Sequence, residues 1–328
     1  MQITKTLDEI ELKKIELKKE KVKMQDQRNE LNKAIRQTAR FESLSDYINQ
    51  AFINLKDKDF VFKPIEFKKY ENNGNDLLVC LNDLHAGIVV KNFWNEFDFN
   101  ELKNRMNLYL SKILEKKDLH KSYGLHVFIG GDNISGLIHN SLRSESTANV
   151  IDQVIMVTEL ISNFIYELSK NFAFVRIISV SGNHSRLFSN KSDAVKGERL
   201  DNITPWYLKA KLQNVQNVYF IDNAIDESIG VLDIKGKLYY FVHGEYDTPA
   251  KVIQNLTMML GSKPYAVAMC HRHHFAIDTQ HDSKVIMSGS MLGTDSYAIE
   301  NRLSGKASQT VCVCTNDGID GFYDIILN

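Results

Sequence analysis

Residues 174–186 read FVRIISVSGNHSR: an apolar run passes without a break into a glycine, an amide and an imidazole. FVRIISV (174–180) is short and continuously apolar, as a strand buried on both faces must be. Such strands belong to parallel sheets, whose neighbours are reached through crossover helices. The Gly-Asn pair alone would make a turn. A turn has no need of the histidine that follows. Other strand ends must supply partners if Asn183 and His184 are to be more than a turn.

Two further runs share this texture, DLLVCL (76–81) and LHVFIG (125–130). Helical patterns lie between them, FNELKNRMNLYLSKILEKK (99–117) and TANVIDQVIMVTELISNFIYELSK (147–170). Strand–helix–strand alternation predicts right-handed crossovers in a largely parallel sheet. After a further helix near 204–213 the chain becomes strand-rich: NVYFID, SIGVLDIKG, KLYYFVHG, YAVAMCH, HFAIDTQ, KVIMSGS and QTVCVCTND. This half predicts a more mixed sheet packed on the first.

Upstream, residues 1–56 contain no Gly or Pro and read as a helical extension. Ile3, Ile10, Leu17, Met24 and Leu31 recur at every seventh position, but the companion seam holds Lys13, Glu20 and Gln27. Two readings stay open: a solvated helix laying one stripe on its own domain, or a coiled coil or docking helix for a second copy or a partner protein. Pro64 and the Asn/Gly cluster at 72–75 mark residues 57–75 as a linker, and 76–328 as the second domain.

The 328 residues are 43% hydrophobic and 25% charged, ordinary for a globular chain. A net charge of −1 supplies no global field toward nucleic acid or an anionic membrane. The cysteines, Cys80, Cys270, Cys312 and Cys314, form no CxxC pair, which points to a reducing, cytoplasmic setting. No apolar run approaches the roughly 20 residues of a membrane span, and the start lacks the apolar core of a signal peptide.

The strand ends carry the chemistry. CLNDLHAG (80–87) places Asp83 and His85 two apart, and in an extended segment i and i+2 face one side, so both can converge on one ion. FIGGDNISG (128–136) puts Asp132 behind two glycines that let the loop turn over the sheet's carboxyl edge, where open α/β proteins bind ligands. Gly182 is expected to turn its loop in the same way, bringing Asn183 and His184 in. YYFVHGE ends on His243, and AVAMCHRHHF on His271 and His273. Each motif alone also fits a plain turn or a structural histidine. Five strand ends closing on Asp, Asn or His do not resemble scatter, which His120, His126 and His281 exemplify.

Two carboxylates, several imidazoles and an amide make a mixed N/O donor set suited to Mn2+, Zn2+ or Fe2+. Thiols are too few for a soft-metal site, and imidazoles too many for a pure Mg2+ or Ca2+ site. Seven candidate ligands exceed the need of one ion, so two ions sharing a bridging carboxylate are expected. Paired ions about 3.5–4 Å apart stabilise in-line displacement at phosphorus.

In this order, DxH (83–85), GD (131–132), GNH (182–184), H (243) and HxH (271–273) resemble the calcineurin-like metallophosphoesterase family over about residues 76–290. The resemblance implies a four-layer αββα sandwich of the α/β class with a dinuclear metal site. Asp83, His85, Asp132 and His273 would then hold one ion, and Asp132 as the bridge, Asn183, His243 and His271 the other. It further implies attack by a metal-bound hydroxide, with His184 as the catalytic residue that stabilises the transition state or protonates the leaving oxygen. Mn2+ is the first choice of cation, with Zn2+, Fe2+ or Mg2+ as alternatives.

Three departures from the family pattern stand out. Cys270 replaces the glycine of GHxH, setting a thiol beside the site that oxidation or excess metal could reach. HRHH leaves His274 as a rival to His273, and the i, i+2 argument favours His273. Ser185 and Arg186 follow GNH in place of an acidic residue, which removes one outer contact and adds a cation near the phosphate position.

Beyond Asp132, IHNSLR offers His139 and Arg143, and Arg143 either clamps a phosphate bidentately or begins a surface helix. SGSMLGTDSYAIENRLSGKASQTVCV (288–313) reads as a strand and then an irregular loop with Asp295 and Tyr297, which either lines a substrate groove or packs against it. The helical extension, IHxxxR and SGSMLGTD together resemble a phage-type, DNA-repair-exonuclease-like branch acting in a bacterial host. The expectation is a DNA nuclease or exonuclease. The alternatives are a phosphodiesterase or phosphatase of small or cyclic nucleotides, and a non-catalytic scaffold, which the complete ligand set disfavours. No basic, aromatic-rich stretch announces a single-strand groove.

Overall fold

The computed structural model describes residues 13–32, 35, 39, 61–65, 74–138 and 146–328. The chain forms two compact units, Met1–Lys58 and Asp59–Asn328. In the first, residues 13–32 form a helix, α1, whose side chains are all exposed, Leu17, Met24 and Leu31 among them.

The second unit is built on two sheets. The first has the order β13 (Ile319–Ile326), β12 (Ser308–Cys314), β1 (Asp76–Leu81), β4 (Gly124–Ile129), β5 (Phe174–Ser179) and β6 (Val218–Ile221). Its four strands β1, β4, β5 and β6 are parallel, and β12 and β13 are antiparallel additions. The second runs β10 (Ala276–Gln280), β11 (Ser283–Met287), β9 (Ala266–Met269), β8 (Lys237–Val242) and β7 (Gly230–Ile234). Here β8, β9 and β11 are parallel, with antiparallel strands at both edges. A two-stranded ribbon, β2 (Val90–Lys91) with β3 (Glu96–Phe97), completes the strands.

Three helices cover the outer face of the first sheet: α2 (Phe99–His120), α3 (Val150–Ser169) and α4 (Ile203–Lys211). Asp98 caps α2 by accepting from the Glu101 N–H at 2.8 Å, and Asn149 caps α3 on the N–H groups of Ile151 and Asp152. Leu102, Met106, Tyr109 and Ile113 form the buried stripe of α2 at helical spacing. The Tyr109 hydroxyl bonds the carbonyls of Cys80 and Thr310, so its burial leaves no polar group unmet. On the outer face of the second sheet α5 (Val252–Leu260) packs with Val252, Ile253 and Leu256 against Tyr240, Val267 and Val285. Between the sheets, Leu78, Cys80, Phe128 and Ile178 meet Tyr239, Phe241, Ala268 and Ile286. The four layers are helix, sheet, sheet, helix: the αββα sandwich.

Alternation of faces explains the strand sequences. Leu77, Val79 and Leu81 of β1 face the helices, while Leu78 and Cys80 face the other sheet. Every β1 residue is buried, as the continuous apolar run requires. The picture of one sheet per half needs correction: β6, β12 and the unforeseen β13 belong to the first sheet. Within this unit the 61–65 segment packs on α3 and α4, where the Phe62 N–H bonds the Lys211 carbonyl and its ring stacks on Tyr166 at 4.3 Å.

Candidate metal centre

The carboxyl ends of β1, β4, β5, β8 and β9 converge at one edge of the sandwich, three from the first sheet and two from the second. Strand β1 stops at Leu81 and β9 at Met269, so both pairs of candidate ligands lie past their strands. Asp83, His85, Asp132, His271 and His273 all adopt left-handed backbone, with φ of 50°, 46°, 51°, 69° and 56°. Convergence through strand alternation is therefore corrected: left-handed turns aim these side chains. Such conformations cost roughly 1–3 kcal/mol each and persist where surrounding structure over-determines them. Here the loops hold one another. The N–H groups of Asp83, His85 and Ala86 bond the carbonyls of Gly131, Asp132 and Asn133, each at 3.0 Å, and the Cys270 N–H bonds the His243 carbonyl.

Gly131, at φ 85°, does make a turn that favours glycine. Gly182 does not, since its φ of −90° and ψ of 174° are open to other residues. Glycine is required at 182 for space, because a Cβ there would overlap Oδ1 of Asp132.

The side chains form three groups, in each of which the ligand-type atoms lie within 4.8 Å of one another: Asp83, His85 and His273; Asp132, His243 and His271; and His85, Asp132 and His184. His85 Nε2 and His273 Nε2 are 3.3 Å apart, and His273 Nε2 lies 3.3 Å from Asp83 Oδ1. His243 Nε2 sits 3.2 Å from Asp132 Oδ2 and 3.1 Å from Asn183 Oδ1. Asp132 belongs to the second of these groups and joins His85 of the first in the third, so it links the two outer groups. His274 does not join them: it is exposed, with Nδ1 on the Arg272 carbonyl.

Second contacts set the ring orientations. His243 Nδ1–H donates to the Gly130 carbonyl at 2.7 Å, and His184 Nδ1–H to the Ser135 carbonyl at 2.8 Å, so in the neutral ring of each the lone pair lies on Nε2. The His184 N–H also donates to Asp132 Oδ1 at 2.7 Å. Asp83 Oδ1 and Asp132 Oδ2 are buried without a hydrogen bond. A buried carboxylate oxygen in that position calls for a cation, and these oxygens with imidazole nitrogens around them fit divalent ions of the Mn2+ and Zn2+ type.

Burial opposes charge on Asp83, but the neighbouring His273 outweighs it and holds the carboxyl down at about 2. Burial also opposes a charged His243, and Asp132 with Asp83 pulls it up to about 10. Burial, then the charges of His184 and His273, keeps His85 well below the usual imidazole range. Burial and then His243 push His271 down to about 4, so its lone pair is open at neutral pH.

Residues 139–145 lie outside the described residues, and His139 and Arg143 with them. Arg186 closes the 183–185 turn, its Nε donating to the Asn183 carbonyl at 3.0 Å. Cys270 is fully buried in the core between the sheets, and burial, then Asp83, pushes its thiol well up, so it is a packing residue and not a reactive one. The segment around Asp295 is irregular over residues 288–295 and 301–307, and Asp295 caps a short helix between them, α6 (Ser296–Glu300), on the Ala298 N–H.

Three positioning residues stand outside the strand-end motifs. Asn82 Nδ2 donates to Asp83 Oδ2 at 2.6 Å, and Gln309 of β12 holds both backbone groups of Asn82. Asp201 is buried and accepts from the N–H groups of Asp132 and Gly182, each at 2.9 Å, and from Asn133 Nδ2. It therefore supplies a carboxylate where Ser185 has none, Ser185 Oγ being turned onto the Gly182 carbonyl. Asp201→Ala should lower Mn2+ affinity about 10- to 100-fold, as loss of outer-shell partners does. Calorimetric titration with Mn2+ measures it, and unchanged affinity would refute the role.

Residues 13–54 match a family model described as the YonJ coiled-coil domain. The chain is 28% identical to the SPbeta prophage-derived uncharacterized protein YonJ of Bacillus subtilis (strain 168), over 98% of this chain and 81% of that protein. Among solved structures, an archaeal phosphodiesterase overlays with a TM-score of 0.38 and 12% identity, across 76% of this chain and 99% of that one. Vps29 of Entamoeba histolytica complexed with Zn2+ gives 0.32 and 9%, across 77% and 99%. Overlays this loose carry no functional weight. No helix among the described residues is long and apolar enough to cross a membrane.

Proposed function

We propose that this chain is a metal-dependent phosphoric ester hydrolase that cuts phosphodiester bonds, with a DNA strand as its substrate. One observation carries the reading: Asp83, His85 and His273 form one ion-sized group and Asp132, His243 and His271 a second, and His85 and Asp132, one from each, meet again at His184. Asp83, His85, Asp132 and His273 would hold one divalent ion, and Asp132, Asn183, His243 and His271 a second, with Mn2+ the first choice. When bound, such a pair supplies Lewis acidity toward the phosphoryl oxygens and makes water a better nucleophile.

The chain's own residues do the rest. Asp132 fixes the spacing of the two ligand groups, and Asp201 holds the Asp132 backbone. The Ser135 carbonyl holds the His184 Nδ1 proton, so Nε2 is the nitrogen that gives its proton to the leaving oxygen when both nitrogens carry one, and water returns that proton afterwards. Burial of Asp83 and Asp132 lowers the dielectric around the reacting charges and strengthens their pull on a cation. We read the exposed heptad positions of α1, within the segment matching a coiled-coil model, as a self-association element of two copies.

With Mn2+, the full chain should hydrolyse bis(p-nitrophenyl) phosphate and single- or double-stranded DNA. DNA left intact while cyclic nucleotides are cut would replace the nuclease with a small-nucleotide phosphodiesterase. Failure on every diester with Mn2+, Zn2+, Fe2+ and Mg2+ would sink the hydrolase reading.

A further inference from the structure

A cavity of about 470 Å3 opens beside the metal centre, with His243 in its wall and Arg186, Lys191, Lys196, Arg199 and Tyr246 around it. Two of its four cations are already neutralised. Arg199 pairs with Glu245 at 2.5 Å, and Lys196 with Asp226 at 2.6 Å. Arg186 and Lys191 face no carboxylate within ion-pair distance among the described residues. Arg186 Nη1 is buried without a hydrogen-bond partner, while its Nε is anchored on the carbonyl of Asn183, a proposed ligand. Lys191 lies at the surface with Nζ 4.2 Å above the Tyr246 ring. Asp247 is the wall's one carboxylate lacking a cation partner among the described residues, and burial raises its carboxyl above the usual range against the pull of His243. The neighbouring cavity of about 420 Å3 is the opposite case, lined by Asp201, Asp222 and Glu227 with Lys209 already on Asp222.

A buried guanidinium N–H without an acceptor, on an arginine that lines a cavity, suits an anion, and the fork of arginine suits phosphate above all. We propose that Arg186 and Lys191 form a flanking-phosphate subsite, which docks the next phosphate of a polynucleotide strand whose scissile phosphate lies at the metal centre. Tyr246 and the apolar wall of Ile229, Leu256 and Met259 give the intervening sugar and base a surface to lie against. The subsite rests on the phosphodiesterase reading for what occupies the metal centre. It extends that reading by selecting strands with consecutive phosphates over simple esters.

The test compares binding of the thymidine dinucleotide TpT, with one internal phosphate, and the trinucleotide TpTpT, with two and no terminal phosphate. Affinities are measured by calorimetry on the full chain in Mn2+, with His184→Gln in every variant to slow cleavage. TpTpT should bind about tenfold tighter than TpT, the scale of one charge-assisted contact. Arg186→Gln should reduce that ratio to near the statistical factor for two phosphates, and Arg186→Lys should restore part of it. Lys191→Gln, a surface change that leaves the fold alone, should lower the ratio about two- to fivefold, as for an exposed ionic contact.

Equal affinities for the two ligands, or a ratio intact in both glutamine variants, overturns the subsite. Hydrolysis of bis(p-nitrophenyl) phosphate, which has no flanking phosphate, reports the metal centre separately. Hydrolysis without a TpTpT advantage rejects the subsite and leaves the hydrolase standing. An Arg186-dependent advantage without hydrolysis rejects the hydrolase and leaves the subsite standing.

Discussion

Replacing Asp132 with Asn should cut bound Mn2+ from two ions to at most one and lower kcat on bis(p-nitrophenyl) phosphate by about 10³-fold or more, several kcal/mol of barrier. Asp132 appears in two of the three ligand groups, and its Oδ2 is buried without a hydrogen bond. Asn keeps the shape and an oxygen for the His184 N–H, so the loop can stay in place while the negative charge is lost. Burial has already removed the water that would otherwise screen that charge, so its loss is felt in full by any ion beside it. Metal content by elemental analysis and single-substrate kinetics measure the two effects. A variant retaining two ions would show that Asp132 does not bridge.

His184→Ala should lower the rate of DNA cleavage about 10²- to 10⁴-fold, the usual contribution of a positioned acid or base, and should leave the metal content at two ions. The His184 main-chain N–H holds Asp132 whatever the side chain, so the ligand set survives the substitution. The loss should be smaller on bis(p-nitrophenyl) phosphate. A nitrophenolate leaves without a proton, whereas the alkoxide of a nucleotide needs one. Equal losses on both substrates would mean that His184 stabilises the phosphoryl group and does not protonate the leaving oxygen. Full activity would remove it from catalysis.

Strand and helix texture was readable because it is local. DLLVCL is β1, FVRIISV extends β5 by one residue, and the two long helical patterns coincide with α2 and α3. Apolar runs carry their own burial preference, and helix periodicity and caps are written within a few residues of each other. Sheet membership was less legible. Strand β12 pairs with β1 across more than two hundred residues, and nothing in QTVCVC distinguishes a strand of one sheet from a strand of the other.

The site divides along the same line. By itself the sequence determined which residue types stand at five strand ends, because each end is a short motif: DxH, GD, GNH, a single His, HxH. It also marked Arg186 as the departure after GNH. Only the tertiary structure decided how these residues meet. The left-handed turns at Asp83, His85, Asp132 and His271 are held by hydrogen bonds to other segments: the first two N–H groups bond the Gly131 and Asp132 carbonyls, that of Asp132 bonds Asp201, and that of His271 bonds Asp83 Oδ2. Asp201 lies 69 residues from the Asp132 N–H it accepts, and Gly182 is glycine for the sake of Asp132 Oδ1. The identity of a donor atom is a property of its own residue. Its position, its charge and its space belong to whatever distant segment packs against it.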